Sequence, residues 1–266
     1  MNTPASLPNP LMDRLRAGGL GLSMIVKQCR SVDVVSAALG CGYDALMIDL
    51  EHACIGEEAA AQICVAALLG GLTPLVRIPC HDSHYAARIL DAGAAGIVAP
   101  HVTCAEQARR IVAACRFPPR GQRSVAAQWP QLSYRSVPAA EARLLIESQT
   151  VVIAMLESPE AIDNAEEIAA VEGVDILHIG SNDLCDTYGI PGRFSDPRIL
   201  DAYRRVAAAC GRHGKYLGAG GLGSAPEVLE QVVGLGARYV TAGNDWAFFM
   251  QAARQKAAAV RALHPG

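Results

Sequence analysis

Short β-branched apolar runs alternate with longer Ala-rich stretches along the whole chain. The runs at 22–26, 45–50, 74–78, 96–99, 151–156, 176–179, 216–219 and 239–242 have the length of strands. Between most of them apolar residues recur at helical spacing, most clearly at 59–69, 104–115, 161–170, 199–210 and 228–235. Strands alternating with helices predict an α/β fold with a parallel sheet, and eight such units predict closure into a single (β/α)8 TIM barrel. An open doubly wound sheet is the alternative. The Gly-rich stretch at 218–223 follows a late strand and lacks the acidic partner of a dinucleotide turn. No composition shift divides the chain, so residues 1–19 are read as an N-terminal extension with a first helix, and 20–266 as one catalytic barrel. The connection at 117–138 is rich in Pro, Arg, Gln and Ser, and its length predicts a lid or one wall of a site. The last helix, 245–263, is expected to close the barrel or to pack on another subunit.

Composition narrows the class. The chain has 266 residues, 51% hydrophobic and 18% charged, enough to bury a large core. A net charge of -3 gives no footprint for nucleic acid or an anionic membrane. Residues 1–10 lack the basic and apolar segments of a signal peptide. No run approaches the roughly 18 apolar residues of a membrane span. Nine scattered cysteines with no C-x-x-C pair read as reduced thiols of a cytoplasmic enzyme.

Catalytic groups of a barrel sit where its strands end. Strand two ends in Asp49-Leu50-Glu51-His52, strand three carries Arg77, strand five ends in Glu157, and strand six is followed by Gly180-Ser181-Asn182-Asp183. Asp91 ends the helix before strand four. Each has an ordinary structural role open to it: Asp183 and Asp245 as helix caps, Arg77 as an ion-pair partner, His52 as a satisfied histidine. Their convergence on one mouth favours chemistry. Two carboxylates with open positions suit a divalent cation such as Mg²⁺ or Mn²⁺. The cation acts as a Lewis acid on a 2-oxo acid, an Arg adds positive charge at the enolate oxygen, and a His serves as general base. That set supports retro-aldol cleavage of a 4-hydroxy-2-oxo acid. The Schiff-base route needs a lysine, and of Lys27, Lys215 and Lys256 only Lys27 is placed to reach the mouth.

At these residues the chain resembles the HpcH/HpaI family of metal-dependent pyruvate aldolases. The resemblance runs from about Leu20 to Phe248. It is carried by 43–52, Val76-Arg77, 90–94, 118–123, Leu156-Glu157-Ser158 and 179–184 in order. It implies Glu157 and Asp183 as ligands of Mg, Mn or Co and His52 as general base. Asp91 would raise the basicity of His52, and Asp49 would support the same residue. Arg77 would stabilise the enolate and contact the substrate carboxylate, with Ser181, Asn182 and Asp183 beside it. It further implies a homohexamer, a trimer of dimers that exchanges the terminal helix, acting on a small 2-oxo acid and an aldehyde. Three positions depart from the family. Met155 stands where a substrate-contacting Gln is common, Ser124 replaces a Gly, and strand one lacks its usual aromatic residue.

Remaining residues are assigned by position. His81 and His84 are read as structural, and His101 as lining the acceptor side. His178 is read as structural within the barrel wall or helix layer. Arg120 and Arg123 are read as substrate-tail binders or loop anchors, and Trp129 and Tyr134 as shaping the acceptor pocket. The rival functions are oxaloacetate decarboxylation, cleavage of a CoA ester, and a non-catalytic barrel that binds a 2-oxo acid.

Overall fold

The computed structural model describes residues 6–81 and 83–263. Eight parallel strands close into a barrel in chain order: β1 (Gly21–Val26), β2 (Ala45–Asp49), β3 (Thr73–Arg77), β4 (Gly96–Ala99), β5 (Val151–Leu156), β6 (Ile176–Gly180), β7 (Tyr216–Gly220) and β8 (Ala237–Asn244). β8 pairs with β1 to complete the ring. Every predicted run is a strand, with ends shifted by no more than two residues. The predicted helices form at Glu57–Gly70, Ala105–Cys115, Pro197–His213 and Pro226–Gly234. The run at 161–170 instead breaks at Asn164 into Pro159–Asp163 and Ala165–Ala169.

Two apolar layers hold the barrel. Outward strand side chains such as Leu46, Ile48, Val76, Ile97 and Leu177 pack under the helices. Inward ones, among them Met47, Leu75, Val98, Ile153 and Ile176, fill the lumen. Helix Pro10–Arg16 plugs the lumen with Leu11, Met12 and Leu15, which are buried against that interior set. Asn9 fixes the plug: its Oδ1 accepts from the Met12 N–H at 3.1 Å and from Thr73 Oγ1 at 2.8 Å, while its Nδ2 donates to Gln149 O at 2.7 Å. The N-terminal face is therefore sealed, and a ligand reaches the lumen only past the strands' C-terminal ends.

The connection at 117–138 is no lid. It follows helix Ala105–Cys115 and leads through helix Ala139–Gln149 into β5, so it lies at the sealed end of the barrel. Trp129 is buried there, edge-on to Phe117 with ring centroids 6.2 Å apart. The Arg123 guanidinium lies 4.8 Å from the Phe117 ring centroid and bonds Asp91 at 2.7 Å. Arg120 faces Glu147 and Glu172 at 3.7 and 3.8 Å. Tyr134 is exposed beside Leu69 and Asp91 in an outer groove. Trp129 and Tyr134 thus shape no acceptor pocket, and Arg120 and Arg123 are loop anchors.

Helix Asp245–Arg261 leaves the barrel with no buried residue. Its Trp246 and Phe249 rings stack at 5.1 Å while both stay half exposed. In one chain only its first turns meet the barrel, where Ala247, Phe248 and Gln251 line the cavity at the mouth. Among the described residues no helix is long and apolar enough to cross a membrane.

Candidate active site

The mouth is organised around Asp49, the last residue of β2, which has no solvent exposure. Asp49 and Arg77 are register partners on adjacent strands. Arg77 donates from Nε to Asp49 Oδ1 at 3.0 Å and from Nη2 to Oδ2 at 2.6 Å. Oδ1 also accepts the backbone N–H groups of Glu51 and His52, both at 3.1 Å. Burial works against the Asp49 charge, yet Arg77, the His52 amide and Lys27 hold its carboxyl below the usual range. Asp49 therefore supports Arg77 and the peptide of His52. It does not touch the imidazole.

Within the chain, the carboxylate beside the His52 imidazole is that of Glu51. Its Oε2 lies 3.6 Å from His52 Nε2 and 3.2 Å from Arg77 Nη1. Its Oε1 lies 2.9 Å from His101 Nε2. His101 has a left-handed backbone, φ 53°, uncommon for a residue with a Cβ. That turn aims its N–H at Glu157 Oε2, 2.9 Å away, and leaves Nδ1 at 3.2 Å from the same oxygen. His101 thus links the carboxylates of β2 and β5 across the mouth. Glu51 was visible in the string Asp49-Leu50-Glu51-His52 but was given no role.

Asp91 does not meet His52 within the chain. It ends helix Ser83–Asp91 and so lies at the barrel's other face, bound to Arg123. His81 Nε2 donates to the carbonyl of Pro100. Asp82, between the two histidines singled out earlier, lies outside the described residues. Asp245 is no cap either: Asn244 caps the last helix, accepting from the Ala247 N–H at 2.9 Å. Asp245 instead accepts the N–H groups of Lys27, Gln28 and Cys29 at 3.0, 2.9 and 2.7 Å.

Glu157 follows β5 and is 3% exposed. Its Oε1 is buried without a hydrogen-bond partner among the described residues. Burial, with Asp183 and Glu51 adding negative charge, pushes its carboxyl up to about 7 despite His101. Asp183 sits in the first turn of helix Ser181–Thr187, where the N-cap position is Gly180. A Cβ at Gly180 would collide with the Glu157 carboxyl, so only glycine leaves that oxygen its space. An orphaned buried carboxylate with a second one nearby fits a divalent cation. Among the described residues no group of three or more His, Cys, Asp or Glu side chains is placed to hold a metal ion, so the protein would supply two carboxylates at most. Ser181 contributes backbone only, since its hydroxyl pairs with Tyr203 at 2.8 Å.

Below the carboxylates the lumen has a polar floor that sequence reasoning missed. His178 points inward beside its register partner Met155. A Cβ at Gly218 or Gly220 would stand 2.6 or 2.5 Å from a ring nitrogen, so two glycines of β7 make its slot. Burial pushes the imidazole down to about 3 and keeps it neutral. Its Nδ1 has no partner among the described residues, and Tyr239 stands 5.3 Å away by centroids. The signal was parity, since His178 shares the inward phase of Ile176 and Gly180 on β6. The cavity above this floor holds about 510 Å³ and is lined by Lys27, His52, Arg77, Glu157, Asn182 and Asp183, among others.

A carboxylate pair, a clamped arginine and an imidazole thus stand together at the open end of the barrel. The chain belongs to the HpcH/HpaI aldolase/citrate lyase family, whose model matches residues 23–252. It is 38% identical over 258 residues to a 4-hydroxy-4-methyl-2-oxoglutarate aldolase of Hapsidospora irregularis, covering 96% of each chain. It is 36% identical over 228 residues to a hydroxypyruvate/pyruvate aldolase of Rhizorhabdus wittichii, covering 83% of this chain and 86% of that one. The crystal structure of an HpcH/HpaI aldolase from Desulfitobacterium hafniense superposes with a TM-score of 0.90 at 26% identity, over 96% of this chain and 97% of that chain. The protein is an aldolase-type lyase.

Two outcomes test this geometry. Asp49→Asn offers an amide that cannot accept both guanidinium bonds. It should lower kcat/KM by about 100-fold or more and destabilise the fold by about 3 kcal/mol in urea unfolding. The second outcome concerns pH. The folded Glu157 keeps its proton from about 4.5, where the unfolded carboxyl loses it, up to about 7. The metal-free fold keeps this extra proton there, so the Tm of wild type minus that of Glu157→Gln should fall as pH rises through the window and level off above it; His178, neutral when folded and protonated when unfolded below about 6.5, adds the opposite slope to both proteins and cancels in the difference. Saturating Mn²⁺ at neutral pH should restore the lost stability, because a cation favours the ionised carboxyl. A flat difference between wild type and Glu157→Gln across the window would contradict the assignment.

Proposed function

We propose that this chain is a metal-dependent aldolase that reversibly cleaves a 4-hydroxy-2-oxo acid into pyruvate, or a close 2-oxo acid, and a carbonyl acceptor. The observation that carries the reading is the orphaned Glu157 carboxyl beside Asp183, in the same mouth as the clamped Arg77. Glu157 and Asp183 would hold the cation, with Mg, Mn and Co as candidates. Once bound, it would polarise the keto group and stabilise negative charge on its oxygen.

The chain's own residues do the rest. Arg77, fixed by Asp49 and Glu51, presents positive charge toward the oxygen that becomes the enolate. His52, beside Glu51, takes the proton of the C4 hydroxyl. The C3–C4 bond then breaks, its electrons form the C2–C3 double bond of the enolate, and the acceptor carbonyl leaves. A proton returned to C3 gives the 2-oxo acid. Backbone N–H groups at Asn182 and Asp183, in the first turn of their helix, receive the substrate carboxylate. The relative from Hapsidospora irregularis acts on a branched diacid by its name, and a 4-hydroxy-2-oxo diacid is the substrate class proposed here.

The exposed Trp246–Phe249 stack supports an oligomer in which helix Asp245–Arg261 packs on another subunit, with the hexamer as the proposed state. A role for Asp91 at His52 would require such a neighbour. Replacing both Trp246 and Phe249 by Glu should yield a smaller species in light scattering coupled to size exclusion.

The chemistry is tested with pyruvate in deuterated water. Wild type should exchange the methyl protons with Mn²⁺ and stop in EDTA, while His52→Ala and Glu157→Ala should exchange at least about 100-fold more slowly. Undiminished exchange in EDTA, with borohydride trapping pyruvate on Lys27, would replace the metal route by a Schiff base.

A further inference from the structure

We propose that Lys27 is the specificity residue that receives the second carboxylate of a diacid substrate. The proposal rests on the aldolase reading above and adds to it the group that selects the acceptor half.

Position comes first. Lys27 directly follows β1, and β1 is four strands from β5 in either direction around the closed ring. The ammonium thus belongs to the wall opposite Glu157, with Arg77 on the flank between them. A 2-oxo acid anchored at the Glu157–Asp183 end must extend its far half across the mouth. Lys27 lines that cavity, and its side chain keeps 30% exposure.

Its partners leave it available. Among the described residues the ammonium meets one carboxylate, Asp49 Oδ2, at 3.5 Å. That oxygen already accepts Arg77 Nη2 at 2.6 Å, and Oδ1 already accepts Arg77 Nε and two backbone amides. Asp49 is satisfied without Lys27, and a lysine ammonium carries three donors. Arg77 is the other permanent cation lining the cavity, and its Nε, Nη1 and Nη2 are engaged by Asp49 and Glu51. A cation held by Glu157 and Asp183 would balance those two acids, and Arg77 balances only one of Asp49 and Glu51. Without Lys27 the mouth would meet a dianionic substrate with a net negative charge.

The stem is also fixed. Asp245 accepts the N–H groups of Lys27, Gln28 and Cys29, so the side chain grows from a clamped point. Gln251 of the terminal helix lines the same cavity and offers neutral donors beside it. A compact ammonium on a flexible four-carbon arm suits a carboxylate whose distance changes between intact substrate and separated products.

The test compares two substrates on the intact enzyme with Mn²⁺: 4-hydroxy-4-methyl-2-oxoglutarate, which has the second carboxylate, and 4-hydroxy-2-oxopentanoate, which lacks it. Lys27→Met should lower the diacid-to-monoacid ratio of kcat/KM by roughly 10- to 100-fold, chiefly through the diacid KM. Lys27→Arg should recover much of that ratio. An equal loss on both substrates overturns the proposal, because Lys27 would then act through Asp49 and Arg77. A wild type with no preference for the diacid also overturns it, while pyruvate methyl exchange leaves the aldolase reading standing. If wild type shows neither exchange nor cleavage, the aldolase reading falls and the subsite with it.

Discussion

The bidentate pair between Asp49 and Arg77 is the interaction on which the rest of the site depends. A charge with no solvent exposure is tolerated only when its lone pairs are filled, and here two guanidinium bonds and two amides fill them. Barrel closure sets the pairing, because Asp49 and Arg77 are register partners at the ends of β2 and β3. The same carboxylate folds the following turn by accepting the Glu51 and His52 amides. Backbone and side chain are thus fixed by one anion. Glu51 then meets the third guanidinium nitrogen, His101 meets Glu51, and Glu157 meets His101. A continuous line of polar contacts crosses the mouth from β2 to β5. Its far end is the carboxyl that a cation would take over.

Most of the barrel was legible because buried parallel strands leave apolar runs that need no partner to be recognised. The terminal helix was legible as an element and not as a position, since nothing inside one chain covers it. The strand-end rule found Asp49, Arg77, Glu157 and Asp183. It failed where a residue ended a helix instead. Asp91 and the 117–138 connection follow helices, so within one chain the rule assigns them to the sealed face, and the Asp91 role at His52 comes from the family resemblance alone. His101 was legible as a residue of the mouth but not as the link between Glu51 and Glu157. Its function depends on a left-handed turn that a non-glycine sequence position does not announce.

The floor shows how parity decides chemistry. Met155 and His178 are neighbours across β5 and β6, and both face the lumen. A thioether has no donors, whereas a neutral imidazole has one donor and one acceptor. A polar group therefore remains at this level of the barrel, moved one strand along. It is held neutral by burial and slotted between Gly218 and Gly220. A buried ring nitrogen left unpaired costs about 1–3 kcal/mol, a cost more naturally offset by a bound polar group or a trapped water than by packing.

Charge is segregated accordingly. The lower lumen is apolar and plugged by Leu11, Met12 and Leu15, so field lines from the upper groups leave through the mouth rather than through the protein. Within that mouth the ionised groups are not mixed at random. Carboxylates able to hold a cation come from β5 and β6, and the permanent cations come from β1 and β3. A 2-oxo monoacid would engage only the Glu157–Asp183 end, whereas a diacid whose 2-oxo end sits there would also place its second carboxylate toward Lys27. The position of Lys27 thereby converts a generic enolate site into one that distinguishes the two halves of its substrate.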